Sequence, residues 1–145
     1  MERQPDAQLR PPIRAAAALL GLAALSYCAA SAIHLGLAIP LGFVTVTDPF
    51  PGAAIPEAIL GLTTAGGVAA LLVPNRPRLG IAVATAGFAA TLTLYGLSIT
   101  ARIARMQDVA YHLAILTLLA VALALMLHRW GSRDTTDRMS PKTGA

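Results

Sequence analysis

Charge is scarce in this sequence. Only 12% of its 145 residues are Asp, Glu, Lys or Arg, against about 25% in soluble domains. Cysteine is nearly absent too: Cys28 stands alone, which excludes a disulfide scaffold and any zinc or iron–sulfur site built on several thiolates. No phosphate-cradling glycine loop, His-Glu-x-x-His, Cys-x-x-Cys-His or Gly-x-Ser-x-Gly occurs. The motifs of nucleotide binding, zinc proteolysis, haem attachment and serine hydrolysis are therefore missing.

What the chain has is apolar length. Hydrophobic residues make up 56% of it. Four runs carry no Asp, Glu, Lys or Arg: Ala15 to Thr47, Ala58 to Asn75, Leu79 to Ala101 and Val109 to His128. A helix needs about 20 apolar residues to cross a hydrocarbon core of about 30 Å. A water-soluble bundle would need a polar face on each helix, and these runs have none. The expected fold class is all-α: an integral membrane four-helix bundle, up-down-up-down, whose short turns make neighbouring helices antiparallel.

Breaker residues set the expected boundaries. Residues 1–14 form a polar lead, 15–128 the membrane domain and 129–145 a disordered tail. The spans are expected at about 15–39, 55–73, 79–100 and 109–128. The first stops at Pro40. The connection from Pro40 to Ala54 carries Gly42, Asp48, Pro49, Pro51 and Gly52, which are turn residues. It is apolar for a loop, so it is expected to dip into the membrane interface. Pro56 suits the first helical position, with Glu57 in the first turn. Asp108 suits the cap of the fourth span. A cleaved signal peptide is the competing reading of the N-terminus. Tyr27 before Cys28, and an apolar run continuing to Ile39, both oppose it.

The 11 basic residues give a pI near 10.0, yet nucleic acid is not an expected partner. They sit at span edges and not on one soluble face. Arg3, Arg10, Arg14, Arg76, Arg78, Arg129, Arg133, Arg138 and Lys142 would lie on one side, and Arg102 and Arg105 on the other. The positive-inside rule then puts both termini in the cytoplasm of a bacterial inner-membrane type protein. Small residues at four-residue spacing supply expected packing seams: Ala24, Cys28, Ala32 and Gly36; Gly61, Ala65 and Ala69; and Ala82, Ala86 and Ala90. Cys28 within such a seam is expected to be buried and inert.

Polar residues align on helix faces. Tyr27, Ser31 and His34 share one; Thr91, Tyr95, Ser98 and Arg102 another; Asp108 and His112 a third. By depth, His34, Glu57, Tyr95, Arg102, Asp108 and His112 all fall within about two turns of the same membrane surface. An ionisable residue inside a span is a functional candidate. Two imidazoles can ligate a metal or haem iron, and His with Glu can relay protons. The structural alternative is that carboxylates favour helix N-termini and that the histidines hydrogen-bond across helices. No metal site, catalytic residue or cofactor is expected. Haem or a quinone belongs only to the second of two functional readings. The first is a non-enzymatic accessory subunit binding the bilayer and another membrane protein or a second copy of itself. The second is a redox or transport component using His34 and His112.

Ile33-His34-Leu35 late in the first span, Ile55-Pro56 opening the second, and a basic turn before the third form a pattern. It resembles small four-span bacterial membrane proteins, and is similar in size and span count to the DoxX-like family. That resemblance implies redox partnership. No catalytic residue of the family maps onto this chain.

Overall fold

The computed structural model describes residues 11–73 and 78–139. Four helices run in order: α1 (Pro11–His34), α2 (Pro51–Leu72), α3 (Arg78–Arg102) and α4 (Met106–Met139). Each is long and apolar enough to cross a membrane, so the chain is a multi-pass membrane protein built as an all-α bundle. Each helix packs on its sequence neighbours, and α1 closes the ring against α4.

The buried residues repeat at alternating three- and four-residue steps. In α1 they include Ile13, Ala16, Leu20, Ala23 and Tyr27; in α3, Leu79, Ala82, Ala86, Ala89 and Thr93. That period keeps one stripe of each helix facing its neighbours. The stripes of α1 and α3 are largely alanine, so the helices approach closely, as packing in lipid requires. A Cβ added at Gly61 would lie 2.6 Å from Cys28 Sγ and 3.3 Å from the Ala24 carbonyl oxygen. One at Gly67 would collide with Thr85 Oγ1. Large apolar side chains such as Leu25, Ile55 and Leu62 point outward at 68–72% exposure, which suits lipid and not water.

Several expected boundaries move. α1 ends at His34, five residues before Ile39. The Gly36 N–H bonds the Ile33 carbonyl and the Leu37 N–H bonds the Ala32 carbonyl, each at 2.9 Å. With Gly36 at φ +101°, this is the left-handed glycine closure of a helix. Gly36 is thus a terminator with open space around it, not part of a packing seam. Ala65 and Ala69 are exposed; the inward stripe of α2 is Glu57, Leu60, Gly61, Thr64, Gly67 and Leu71. Cys28 is exposed as well, although its sulfur borders Gly61.

The connection expected to be irregular contains a hairpin, β1 (Ile39–Leu41) and β2 (Val44–Val46). Its register pairs Ile39 with Val46 and Leu41 with Val44. Gly42, at φ +69°, supplies the positive φ of a two-residue hairpin turn. Phe43 at the tip is fully exposed. α2 starts at Pro51, so Pro56 lies inside the helix and not at its first position. α4 continues to Met139 where an irregular tail was expected from residue 129. The turn at 74–77, residues 1–10 of the lead and residues 140–145 of the tail lie outside the described residues.

Candidate functional site

At the hairpin end the bundle opens into a cavity of about 1000 Å³ lined by all four helices and the hairpin. A chain of ionisable side chains crosses it. His34 Nδ1 lies 2.7 Å from Glu57 Oε2, and His34 Nε2 lies 3.7 Å from Asp48 Oδ2. Arg105 Nη2 donates to that same Asp48 oxygen at 2.5 Å. Arg105 Nε pairs with Asp108 Oδ2 at 2.9 Å. Five residues from α1, α2, the segment after β2, the α3–α4 turn and α4 thus form one continuous network.

Local structure explains each placement. Ending α1 at His34 leaves the imidazole at the helix terminus, where it reaches across to α2. The Phe50 N–H bonds the His34 carbonyl at 3.0 Å, holding the start of α2 beside it. Ser31 Oγ donates to the Ala54 carbonyl at 2.7 Å, and Tyr27 shares a hydrogen bond with Thr93. The Tyr27, Ser31, His34 face of α1 therefore points inward. Glu57 is 8% exposed and sits in the second turn of α2. Its carboxylate is bound by His34, so helix-dipole placement alone does not account for it.

Arg105 follows a second helix closure of the same kind. The Ala104 N–H bonds the Ala101 carbonyl and the Arg105 N–H bonds the Thr100 carbonyl. Ala104 adopts φ +55°, a conformation that glycine takes without cost and alanine does not. Arg105 Cζ stands 5.5 Å from the Phe50 ring centroid, a cation–π distance. Asp108 lies within the first turn of α4; it pairs with Arg105 and is not the residue before the helix.

His112 Nδ1 lies 2.6 Å from the Asp108 carbonyl oxygen. A carbonyl only accepts, so Nδ1 carries the hydrogen and the neutral ring presents an Nε2 lone pair. Gly96 makes room for that edge, because a Cβ there would lie 2.6 Å from His112 Nε2. Beside it, the Tyr111 hydroxyl is buried with no hydrogen-bond partner among the described residues, as is Thr64 Oγ1. Tyr111 lines the cavity; Thr64 does not.

Of the six residues singled out by depth, five line this cavity: His34, Glu57, Tyr95, Asp108 and His112. Arg102 does not; it is exposed at the end of α3. The Thr91, Tyr95, Ser98, Arg102 stripe faces largely outward, and Thr91 and Ser98 bond their own helix backbone. Tyr95 borders the cavity while 65% exposed. Sequence reasoning missed Asp48, Arg105, Phe50 and Tyr111. The signal was present: Asp48, Glu57 and Asp108 are the only acidic residues between Arg14 and Arg129, and all three line the cavity. Among the described residues, no three His, Cys, Asp or Glu side chains group to hold a metal ion.

The wall on the α1 side is closed, as is the α4 side beyond its exposed first turn at Gln107. Tyr27, Ala30, Ile33, Tyr111 and His112 are buried or half-buried. Wall residues that also face outward lie on α2 and α3, namely Ile59 (49% exposed), Phe88 (44%), Ile99 (43%) and Tyr95, and at the hairpin end, namely Thr45, Val46, Thr47, Phe50 and Gln107. Outward-facing lining therefore occurs both sideways, between α2 and α3 at the level of the spans, and at the hairpin end. Along α3 the lining reaches from Phe88 to Thr100, about 18 Å at about 1.5 Å per residue. No protein-family model, curated protein or solved structure matches this chain.

Proposed function

We propose that this chain takes a lipid-soluble small molecule into the hairpin end of its bundle and serves as a membrane transport or redox component. One observation carries this reading: a cavity of about 1000 Å³ with largely apolar walls, crossed by a part-buried polar network and bordered by outward-facing residues of α2 and α3. Core packing alone leaves few voids larger than a water molecule. An apolar pocket with a few convergent polar groups is the usual form of a ligand site. By the positive-inside rule the cavity faces the extracytoplasmic side of a bacterial inner membrane, with both termini in the cytoplasm. The likeness to DoxX-like proteins belongs to the same proposal, since it implies redox partnership.

The test is to purify the full chain in a mild detergent, record its spectrum and extract it for mass spectrometry. A lipid-soluble species at about one per chain, reduced by Ile99→Trp on the outward-facing α3 wall, is the expected result. The Soret band and the extracted mass distinguish haem, a quinone and other occupants. A preparation with no bound species, and no small molecule that raises its melting temperature, ends this reading.

A second reading is an accessory subunit that docks a partner protein or a second copy of itself. It is favoured by the continuation of α4 from Gly131 to Met139, beyond its apolar window. Pull-down of full-length chain against a chain ending at Gly131 tests it. Loss of partner with the shorter chain is expected; equal recovery by both counts against docking through that extension.

A further inference from the structure

Aromatic residues are scarce in this protein: one Trp, three Tyr and three Phe. All three tyrosines and two of the three phenylalanines, Phe50 and Phe88, line the one cavity at the hairpin end. Composition alone does not gather them there. Aromatic faces are electron-rich and attract cations, more strongly when both are out of water. Phe50 already holds Arg105. Among the described residues, Phe88, Tyr95 and Tyr111 stand without such a cation.

The charges around those rings have a sign. Asp48, Glu57 and Asp108 contribute three negative charges, and Arg105 one positive. The sum is −2 with both imidazoles neutral. With His34 protonated between Glu57 and Asp48 it is −1. Arg105 pairs with Asp48 and Asp108 at once, one guanidinium against two carboxylates, and Glu57 is bonded by His34; the surplus is negative. Two of the neutral polar groups point the same way, while the Tyr111 hydroxyl can donate as well as accept. His112 Nε2 offers a lone pair in the neutral ring, and Pro56 deprives the Gly52 carbonyl of its ordinary helical N–H donor. An anion entering here would meet three carboxylates and a committed guanidinium. A cation would meet carboxylates, ring faces and lone pairs. Burial sharpens this preference, because charges interact more strongly where water is excluded.

We propose that the cavity binds a lipophilic organic cation, an ammonium- or phosphonium-type centre carried on apolar groups, which enters sideways between α2 and α3. The positive centre sits among Glu57, Asp108 and the Tyr111 and Tyr95 rings. Its apolar groups lie along Leu60, Phe88, Leu92 and Ile99. The proposal rests on the reading of the cavity as a ligand site, and its test separates the two.

Tetraphenylphosphonium and tetraphenylborate have nearly the same size and shape and opposite charge. Triphenylphosphine oxide is a neutral relative. Binding of each to the full chain in dodecyl maltoside micelles is measured by equilibrium dialysis against protein-free micelles. The phosphonium should bind saturably, and the borate at least about tenfold more weakly, equivalent to about 1.4 kcal/mol. Glu57→Gln and Asp108→Asn should each weaken phosphonium binding by about tenfold while binding of the neutral probe stays unchanged. A melting scan verifies that each variant is folded. Should Glu57→Gln fail to fold, Asp108→Asn carries the comparison. Borate binding equal to or tighter than phosphonium overturns the charge assignment and leaves the cavity a ligand site. Phosphonium binding indifferent to both acid substitutions overturns the placement of the charge. Binding of none of the three probes overturns both the cation and the ligand site.

Discussion

The pair His34 and Glu57 concentrates the energetic risk of this fold into two side chains, 13% and 10% exposed. Removing one partner of a buried pair leaves the other desolvated and unmatched, at about 3–5 kcal/mol. His34→Ala should therefore lower the melting temperature in detergent far more than His112→Ala, whose loss strands only a backbone carbonyl. A double-mutant cycle with Glu57→Gln should return a coupling of about 1–3 kcal/mol; additive losses would mean the two side chains do not act as a unit. Tyr111 is the opposite case. Its buried hydroxyl lacks a partner among the described residues, and an unmatched buried polar group costs about 1–3 kcal/mol. Tyr111→Phe should raise the melting temperature of the ligand-free protein. A lowered one would reveal a hydrogen bond filled by solvent. At this scale the sequence was partly readable. Helical spacing and depth brought out His34, Glu57, Asp108 and His112, because periodicity is local. Asp48 and Arg105 were weighed only as a loop breaker and a topology charge, because their meeting across 57 residues is a product of tertiary folding.

Among the elements, four long apolar runs translate directly into four helices, since in lipid every backbone polar group must be paired within its own segment. The ends were harder to read. Gly36 lay within an uncharged run, and hydropathy continued past it, but the left-handed closure it permits stopped α1 at His34. The hairpin turn at Gly42 was similarly hidden in a stretch rich in breakers. Ala104 closes α3 by the same device without glycine's freedom. Its left-handed backbone costs about 1–2 kcal/mol. Ala104→Gly is expected to stabilise the protein by about 1 kcal/mol, seen as a rise in melting temperature. An unchanged or lower value would show the turn held without strain. Because the turn positions Arg105, that variant also tests whether the Asp48 and Asp108 contacts survive a looser backbone, read by hydrogen exchange of the segment after β2.

For the whole molecule, the ring closure of α1 against α4 brings His34 and His112 into one cavity although 78 positions separate them in the chain. Antiparallel order was legible from short connections, and the shared depth of His34 and His112 pointed to a small polar pocket under the Pro40 to Ala54 connection; a volume of about 1000 Å³ was not legible. That volume depends on Gly96 admitting the His112 ring and on how the α2 and α3 side chains diverge, neither of which a linear pattern encodes. Sidedness is the corresponding prediction. Nine basic residues flank one end and two the other, so reporter fusions at Thr47 and at Lys142 should report opposite sides of the membrane, with Lys142 cytoplasmic. Both reporters on one side would contradict the four-span topology; a reversed pair would move the cavity to the cytoplasmic face.

The sideways mouth between Ile59 on α2 and Phe88, Tyr95 and Ile99 on α3 has a consequence for dosage. A molecule arriving through it is drawn from dissolved material in the bilayer, so its loading rate follows its mole fraction in lipid. Apparent affinity measured against the water phase then scales with the partition coefficient. In reconstituted vesicles, doubling the lipid at constant protein and constant total amount of a strongly partitioning ligand should halve the mole fraction and shift the half-saturation dose about twofold upward. Equilibrium occupancy is the same by either route, so the route is read from rates: loading that Ile99→Trp leaves unslowed would mean that the molecule reaches the cavity from water, past the hairpin.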